Sequence, residues 1–414
     1  MRILYVTADL PWPLTSGYLR HYHFIRALSE HHRITLLSLI GPNHSAEDVA
    51  ALDPYLEDLI TERATRGPRS LRTKIADRAR MLVAGGDEAA ARLGVKASHL
   101  ASERPFDVLL LSGRRTLPVL SALPPIPLVA DLCDATSSRI LGQMRDATLP
   151  ALPSLLLEYL DVRRVERKLM RRAQHALFAS ARDVAGVVGS RRDGSGSGGA
   201  ASTRSMAPAS VVPNGVDLTF WRRTNPRLGR DEIVFTGAMD YPPNADAAEQ
   251  LVETVLPEVQ RAVPSAKVSI VGRDPTDRVR ALAARRGVEV TGYVDDIRPY
   301  LERAAVFAAP IRHGAGIQNK LLEALAMELP VVSSPLAAAG LRTQEGDEPP
   351  VDVATTQRMA EAIIARLRHA ADGTPADPRL RAYVAQHFDW GRNATRLEAI
   401  LEDAARSTVL GSRG

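Results

Sequence analysis

A single cysteine, Cys133, stands among 414 residues, so no intrachain disulfide can form. The folded state must rest on packed cores, as expected in a reducing cytoplasm. Long apolar runs are also missing. No stretch approaches the roughly 20 apolar residues that span a bilayer. The short apolar run in MRILYVTADLPWP is interrupted by Asp9 and nearby prolines, so it reads as a buried strand rather than a signal peptide. Lysine is scarce: Lys74, Lys96, Lys168, Lys267 and Lys320 are all there is, and the net charge of +5 comes almost entirely from arginine. With alanine abundant, this points to a GC-rich genome more than to a polyanionic partner. Aromatics are 5% of the chain, and no basic patch interleaves with them, which argues against nucleic-acid binding. No residue pair reads as a nucleophile with its base.

What is present is the composition of an ordinary globular protein, 45% hydrophobic and 24% charged. The chain is too long for one core and fits two domains of roughly 200 residues each. Apolar runs at 3–8 and 34–40 flank a helical pattern at 18–30, a strand-helix-strand unit that implies a parallel sheet covered by helices. Further strands are expected at 108–112, 128–130, 176–179 and 211–212, with a long helix at 154–173. Residues 189–205, GSRRDGSGSGGAASTRS, read as a surface loop, and 213–229 as a linker. The alternation then restarts, with strands at 233–237, 268–272, 288–291, 306–309 and 330–333. Helices are expected at 245–262, 277–286, 297–304 and, beyond the last strand, 381–405. The fold class is therefore α/β, two doubly wound halves meeting at a cleft, with ligands outside the carboxyl ends of the strands.

One segment concentrates the chemistry: residues 310–334, PIRHGAGIQNKLLEALAMELPVVSS. Gly314 and Gly316 let the backbone approach a ligand, and a helix is expected over 317–328. Lys320 and Glu323, three residues apart, project from one face. A lysine in the first helical turn opposes the macrodipole, and an anion would justify it. Two readings stay open on the residues alone. The segment is a phosphate cradle, or it is a loop-helix crossover whose Lys320 points to solvent while Glu323 offsets the dipole. Arginine-rich residues 60–100, with an apolar stretch at 81–83, read either as a solvated helical insertion or as an amphipathic surface for a membrane or acceptor. The same alternatives apply to Arg163, Arg164, Arg167, Lys168, Arg171 and Arg172, where Glu158, Asp161 and Glu166 pair at helical spacing.

In order along the chain, PWPLTSGYLRHYHFIRAL, VVPNGVDLTFW, FTGAMDYPPNADA, VTGYVDDIRPYLERA, the 310–334 segment and FDWGRNATRLEAIL resemble the GT-B glycosyltransferases, and among them glycosyltransferase family 4. The resemblance covers nearly the whole length. It implies an acceptor-binding domain at 1–212, a nucleotide-sugar domain at 213–385, and a helix at 386–414 returning to the first. It also implies a cytoplasmic retaining transferase, at most peripheral at a membrane, that moves a sugar from a UDP- or GDP-linked donor to an acceptor the sequence does not identify. No metal or other cofactor is implied. Gly17 matches the glycine that faces the donor diphosphate, and Gly237 ends the first strand of the nucleotide domain. Glu323 matches the second glutamate of the family's pair, which binds the ribose hydroxyls; a carboxylate suits that task because it accepts from two neighbouring hydroxyls. Lys320 matches a lysine that contacts the diphosphate. Gly314, Gly316, Ile317 and Gln318 place backbone amides near the phosphates, Tyr293 and Val294 line the base pocket, and His313 touches the donor or serves as a bonded loop histidine.

Two departures stand out. Ala315 occupies the position of the family's first glutamate, which contacts the transferred sugar. The arginine and lysine common after the first strand of the nucleotide domain are absent, leaving Lys320 to carry the phosphate charge, with Arg273 as either a helper or a structural cap. Asp134 stands near the place of a family histidine and is a candidate over sugar or acceptor; it reads equally as a cap for a helix at 137–144. Asp295 and Asp296 read as caps rather than a metal motif. A nucleotide-sugar epimerase on the same scaffold and a non-catalytic sugar-nucleotide binder are the alternative functions.

Overall fold

The structure, a computed structural model, describes residues 1–14, 18–41, 44–64, 88–145, 147–188, 206–314, 316–343 and 346–411. It divides into two compact units. The first comprises Met1–Ala179, Asp183–Val212 and Trp390–Gly414, the second Ser180–Arg182 and Pro213–Asp389.

The first unit is built on seven parallel strands: β1 (Arg2–Thr7), β2 (Arg33–Ile40), β3 (Asp58–Arg63), β4 (Val108–Ser112), β5 (Leu128–Cys133), β6 (His175–Phe178) and β7 (Ala209–Val211). They lie in the order β3-β2-β1-β4-β5-β6-β7, with Ile3 registered on both Ile34 and Val108. Strands covered on both faces need apolar residues throughout, which is why RILYVT and RITLLSLI show no polar alternation. Successive side chains go to opposite faces. Ile3 and Tyr5 join Phe24, Ile34 and Leu110 in one core, whereas Leu4 and Val6 join Leu93, Leu109, Val165 and Leu169 in the other.

The helix Trp390–Gly411 completes the first core with Trp390, Leu397 and Leu401. The Trp390 ring stacks on His23 at 4.6 Å between centroids. The single helical stretch expected over 381–405 is in fact two helices, Pro378–His387 and Trp390–Gly411. Phe388, at φ −130°, leaves the helical region and ends the first. That break coincides with the change of unit at Asp389 and Trp390. The sequence reading also missed β3. Its residues, DLITER, mix charge and apolarity and are only partly buried on a sheet edge, so they lack the signature of the inner strands. Of the arginine-rich region, 65–87 lie outside the described residues, as do 189–205.

The second unit carries β8 (Glu232–Thr236), β9 (Lys267–Val271), β10 (Val288–Val290), β11 (Val306–Ala309), β12 (Val331–Ser333) and β13 (Asp352–Val353) in the parallel order β10-β9-β8-β11-β12-β13. The two-residue β13 and the helix Thr356–Ala371 were not foreseen. The expected helix at 245–262 begins earlier, at Pro242. It runs to Ala262 through one widened π-type turn at Leu251–Val255. Pro257, which has no N–H to donate, follows that turn and gives it a cause.

Candidate functional site

β11 ends at Ala309, and the chain turns through Gly314 (φ +158°) and Gly316 (φ +68°) into the helix Asn319–Ala326. Gly316 lies in the left-handed region that a side chain resists. The turn is also held close from outside: a Cβ on Gly340 would come within 2.6 Å of the Gly316 carbonyl oxygen. The helix buries Leu321, Leu322, Ala324 and Leu325 in the unit's interior. Its two ends are treated differently. At the C-terminal end Arg381 donates to the Ala326 carbonyl at 2.7 Å and Arg223 to that of Met327 at 2.7 Å. Guanidinium groups there satisfy terminal carbonyls and suit the dipole. At the N-terminal end no side chain of Gln318 caps the helix, and its first turn holds no acid. A helix start without a side-chain cap or an acid, and with a lysine beside it, is the arrangement that receives an anion.

Lys320 is partly buried, which goes against the alternative of a solvent-pointing side chain. Its Nζ donates to Asn244 Oδ1 and lies 4.7 Å from the Phe235 ring centroid. Asn244 is itself oriented, because its Nδ2 donates to the Ala238 carbonyl at 2.9 Å. These groups meet over Gly237, at the end of β8. A Cβ there would stand 2.6 Å from Asn244 Nδ2 and 2.9 Å from Lys320 Nζ. Gly272, at the end of β9, backs Gly237 so closely that a Cβ would fall 1.8 Å from the Gly237 carbonyl oxygen. The two strand ends are laced by Gly237 N–H to Val271 O at 3.0 Å and Met239 N–H to Arg273 O at 2.8 Å. Asn214, from VVPNGVDLTFW, donates to Asn319 Oδ1 at 3.0 Å and ties the linker to the first residue of the site helix.

Burial works on both charged groups of the helix. It pushes Lys320 down to about 7, partly offset by the Glu323 charge, and pushes Glu323 up to about 7, partly offset by Lys320. Near neutral pH the pair is thus easily shifted by a ligand. An arriving anion favours the ammonium, and hydroxyl donors favour the carboxylate.

The remaining expected residues fall as follows. Gly237, Gly314, Gly316, Gln318, Lys320 and Glu323 are brought together around the helix start, with Ile317 buried beneath it. Arg273 reaches the site through its backbone carbonyl, while its side chain pairs with Asp274 at 2.6 Å. Tyr293 is 72% exposed and follows Gly292 (φ +71°) beyond the end of β10, with Val294 half-buried next to it. His313 is half-buried in the turn. Gly17 and Ala315 lie outside the described residues. Asp296 accepts from the Arg298 N–H at 2.9 Å, and Arg298 holds its carboxyl below the usual range. Among the described residues, one histidine-carboxylate group could hold a metal, His32 with Glu398 and Glu402, and it belongs to the first unit.

Asp134 also belongs to the first unit. It accepts from Thr136 Oγ1 at 3.1 Å, and burial followed by the nearby Asp183 charge raises its carboxyl. The start of the Thr136–Arg145 helix is served chiefly by another carboxylate. Glu166 accepts from Ser137 N–H at 3.1 Å and Ser137 Oγ at 2.7 Å. Sequence reasoning missed the polar cluster beside it. Arg20 is buried, pairs with Asp131 at 2.8 Å and donates to the Val212 carbonyl at 2.7 Å. His21 Nδ1 lies 2.9 Å from Tyr5 Oη and its Nε2 3.1 Å from Ser112 Oγ. Asn244 was missed as well. Its signal was the asparagine after two prolines in YPPNADA, at a helix start beside a strand end.

Residues 230–369 match the family described as Glycosyl transferases group 1. No curated protein matches the chain. The whole chain is similar in structure to the sucrose-phosphate synthase of Thermosynechococcus elongatus, with a TM-score of 0.68 at 15% identity over 98% of this chain and 99% of that one. It is also similar to Anabaena HepE, solved in complex with UDP and glucose, with a TM-score of 0.64 at 14% identity over 97% and 99%. A glycosyltransferase from Rickettsia africae gives a TM-score of 0.61 at 11% identity over 97% and 98%. The fold is GT-B, with two parallel-sheet Rossmann-like domains. The matched stretch contains Gly237, Asn244, Gly272, Lys320 and Glu323, and with the fold it supports a transferase.

Proposed function

We propose that this protein is a retaining glycosyltransferase of family 4 that transfers a sugar from a UDP- or GDP-linked donor to a hydroxyl acceptor. One observation carries the proposal. An uncapped helix start, a bare glycine strand end and a partly buried lysine converge where a diphosphate would sit. Lys320, the amides around Gly316 and the helix N-terminus would stabilise charge developing on the departing diphosphate. Glu323 would hold the ribose. Tyr293 and Val294 would flank the base, and Asp134 would serve the sugar or acceptor from the first domain. With no nucleophile proposed, attack occurs on the face the diphosphate leaves, and the diphosphate takes the acceptor's proton. The protein's contribution is positioning and electrostatics. On this reading the reaction needs neither metal nor other cofactor. The bound form of HepE, with UDP and glucose, supports a nucleotide-sugar donor of this kind.

The test is a thermal-shift panel of UDP, GDP and other nucleoside diphosphates, followed by incubation with the matching sugar nucleotides and chromatography of the products. Stabilisation by one nucleotide follows RT ln(1 + [L]/Kd) and identifies the base. Conversion of the donor to an epimer without any acceptor would overturn the transferase assignment, as would failure of every nucleotide to stabilise the protein.

A further inference from the structure

The helix Leu152–Arg172 in the first unit has two contrasting faces. Its inner face buries Val162, Val165, Leu169 and Met170 against the sheet. The outer face is a continuous stripe at three- and four-residue spacing, the periodicity of one side of a helix. Along that stripe the chemistry changes once. The N-terminal half presents Leu156, Leu157 and Leu160, at 46%, 58% and 55% exposure. The C-terminal half presents Arg164, Arg167, Lys168 and Arg171, all exposed. Leu149, in the turn before the helix, is 83% exposed, and Leu141, on the preceding helix Thr136–Arg145, is 43% exposed. Glu158 and Asp161 lie beside the stripe rather than on it, because their positions are rotated away from its centre.

Singly exposed leucines are ordinary on a protein surface. A run of them at one end of a helix, continued by a run of cations, marks a surface that meets something. The order of the two halves says what. From Leu156 to Leu160 the apolar portion covers about 6 Å of helix at 1.5 Å per residue, within the 5–10 Å that interfacial helices immerse. The cations begin one turn behind it, where phosphates would lie if the leucines entered the acyl boundary. A bilayer with anionic lipid offers hydrocarbon and negative charge in that same order, and each basic residue near such a surface adds attraction. Self-association would place the cationic half of one copy near the cations of another in a two-fold pairing with the helices side by side and parallel, which like charges oppose.

We propose that this helix docks the first domain onto an anionic lipid surface, leucines inserted and arginines at the phosphates. The transferase assignment is not needed for this, since the stripe belongs to the first unit and the Lys320 site to the second. Of the two arginine-rich stretches that the sequence offered as a membrane surface, this assigns the contact to the helix that carries Arg164 to Arg171.

The experiment is flotation of the full chain with vesicles of phosphatidylcholine alone and with about 30 mol% phosphatidylglycerol, together with light scattering of the free protein. The wild type should float with the anionic vesicles and be released by about 0.5 M salt. The double variant Leu156→Ser, Leu157→Ser should bind at least about tenfold more weakly. Arg164→Ser and Arg167→Ser should each weaken binding about fivefold. All these residues are exposed, so melting temperatures should hold, and a retained melt shows that the loss is one of docking. A wild type that stays soluble with both vesicles overturns the proposal, and so does binding indifferent to the leucine variant. A dimer that the leucine variant dissolves, without vesicle binding, assigns the stripe to a second copy and equally overturns it.

Discussion

Replacing Lys320 by alanine isolates the charge on which the proposed chemistry depends. In the unliganded protein Nζ is held by Asn244 above Gly237, and burial brings its pKa to about 7. At pH 7 about half the molecules therefore lack the proton, and charging the rest costs about 0.4 kcal/mol. Against this, one unit charge about 4 Å from a phosphate oxygen, at an effective dielectric near 20, contributes about 4 kcal/mol. The balance of about 3–4 kcal/mol agrees with the 10²–10³-fold loss typical of removing one oxyanion donor. Titration calorimetry with the nucleoside diphosphate selected by thermal shift, alongside the rate of donor consumption, measures both effects. The pH dependence adds a signed test. A bound anion raises the Lys320 value above about 7, so binding takes up a proton and affinity falls as pH climbs past about 7. Glu323 acts oppositely: it must lose its proton to accept hydroxyls, so affinity also falls as pH drops below about 7. Binding should be strongest near neutrality, and Lys320→Ala should abolish the alkaline limb. Lys320→Ala protein that binds the diphosphate within about threefold of wild type, less than 1 kcal/mol, refutes the reasoning.

Three further outcomes follow from the geometry. Glu323→Gln should weaken nucleotide binding by about 1.5–3 kcal/mol, with the nucleoside losing as much as its diphosphate; a loss confined to the diphosphate would place Glu323 elsewhere. Gly272→Ala would drive a Cβ to 1.8 Å from the Gly237 carbonyl oxygen at a backbone φ of +151°, so the melting temperature of the second domain should drop by several degrees, a cost of about 1–3 kcal/mol; an unchanged melt would show that the strand ends relax freely. His21 is buried between Tyr5 and Ser112, and burial brings its pKa to about 4. The unfolded chain binds a proton near pH 6.5 and the folded chain only near 4, so stability should fall by about 3 kcal/mol as pH drops through that window; His21→Gln should flatten the slope in chemical denaturation, and an unaltered slope would assign it to other groups.

The fold was legible because most of its strands are inner strands of parallel sheets. Ile3 to Val6 or Ile233 to Phe235 must be apolar on both faces, and that leaves an unmistakable run. β3, partly buried and with acid and base among its apolar residues, escaped while the fully buried β4 did not. The site was legible to the extent that it is local. Gly314, Gly316, Lys320 and Glu323 lie within ten residues, and a lysine in the first turn of a helix is odd enough to notice. Its partners were not local, so the alternative of a solvent-facing Lys320 stayed open until the tertiary structure closed it.

The alternation of buried strands with helices, the impossibility of an intrachain disulfide and the glycine-helix-lysine grouping were determined by the sequence alone, since each depends on residue type and spacing along the chain. Only the tertiary structure decided the rest. Parallel crossovers bring the ends of β8 and β9 beside a helix that begins far downstream, so Asn244 meets Lys320 across 76 positions and Gly272 meets Gly237 with no room for a methyl group. The same folding decided which outer positions of Leu152–Arg172 remain in water. Burial and proximity are properties of the packed chain, and they turn a misplaced lysine into a tuned one.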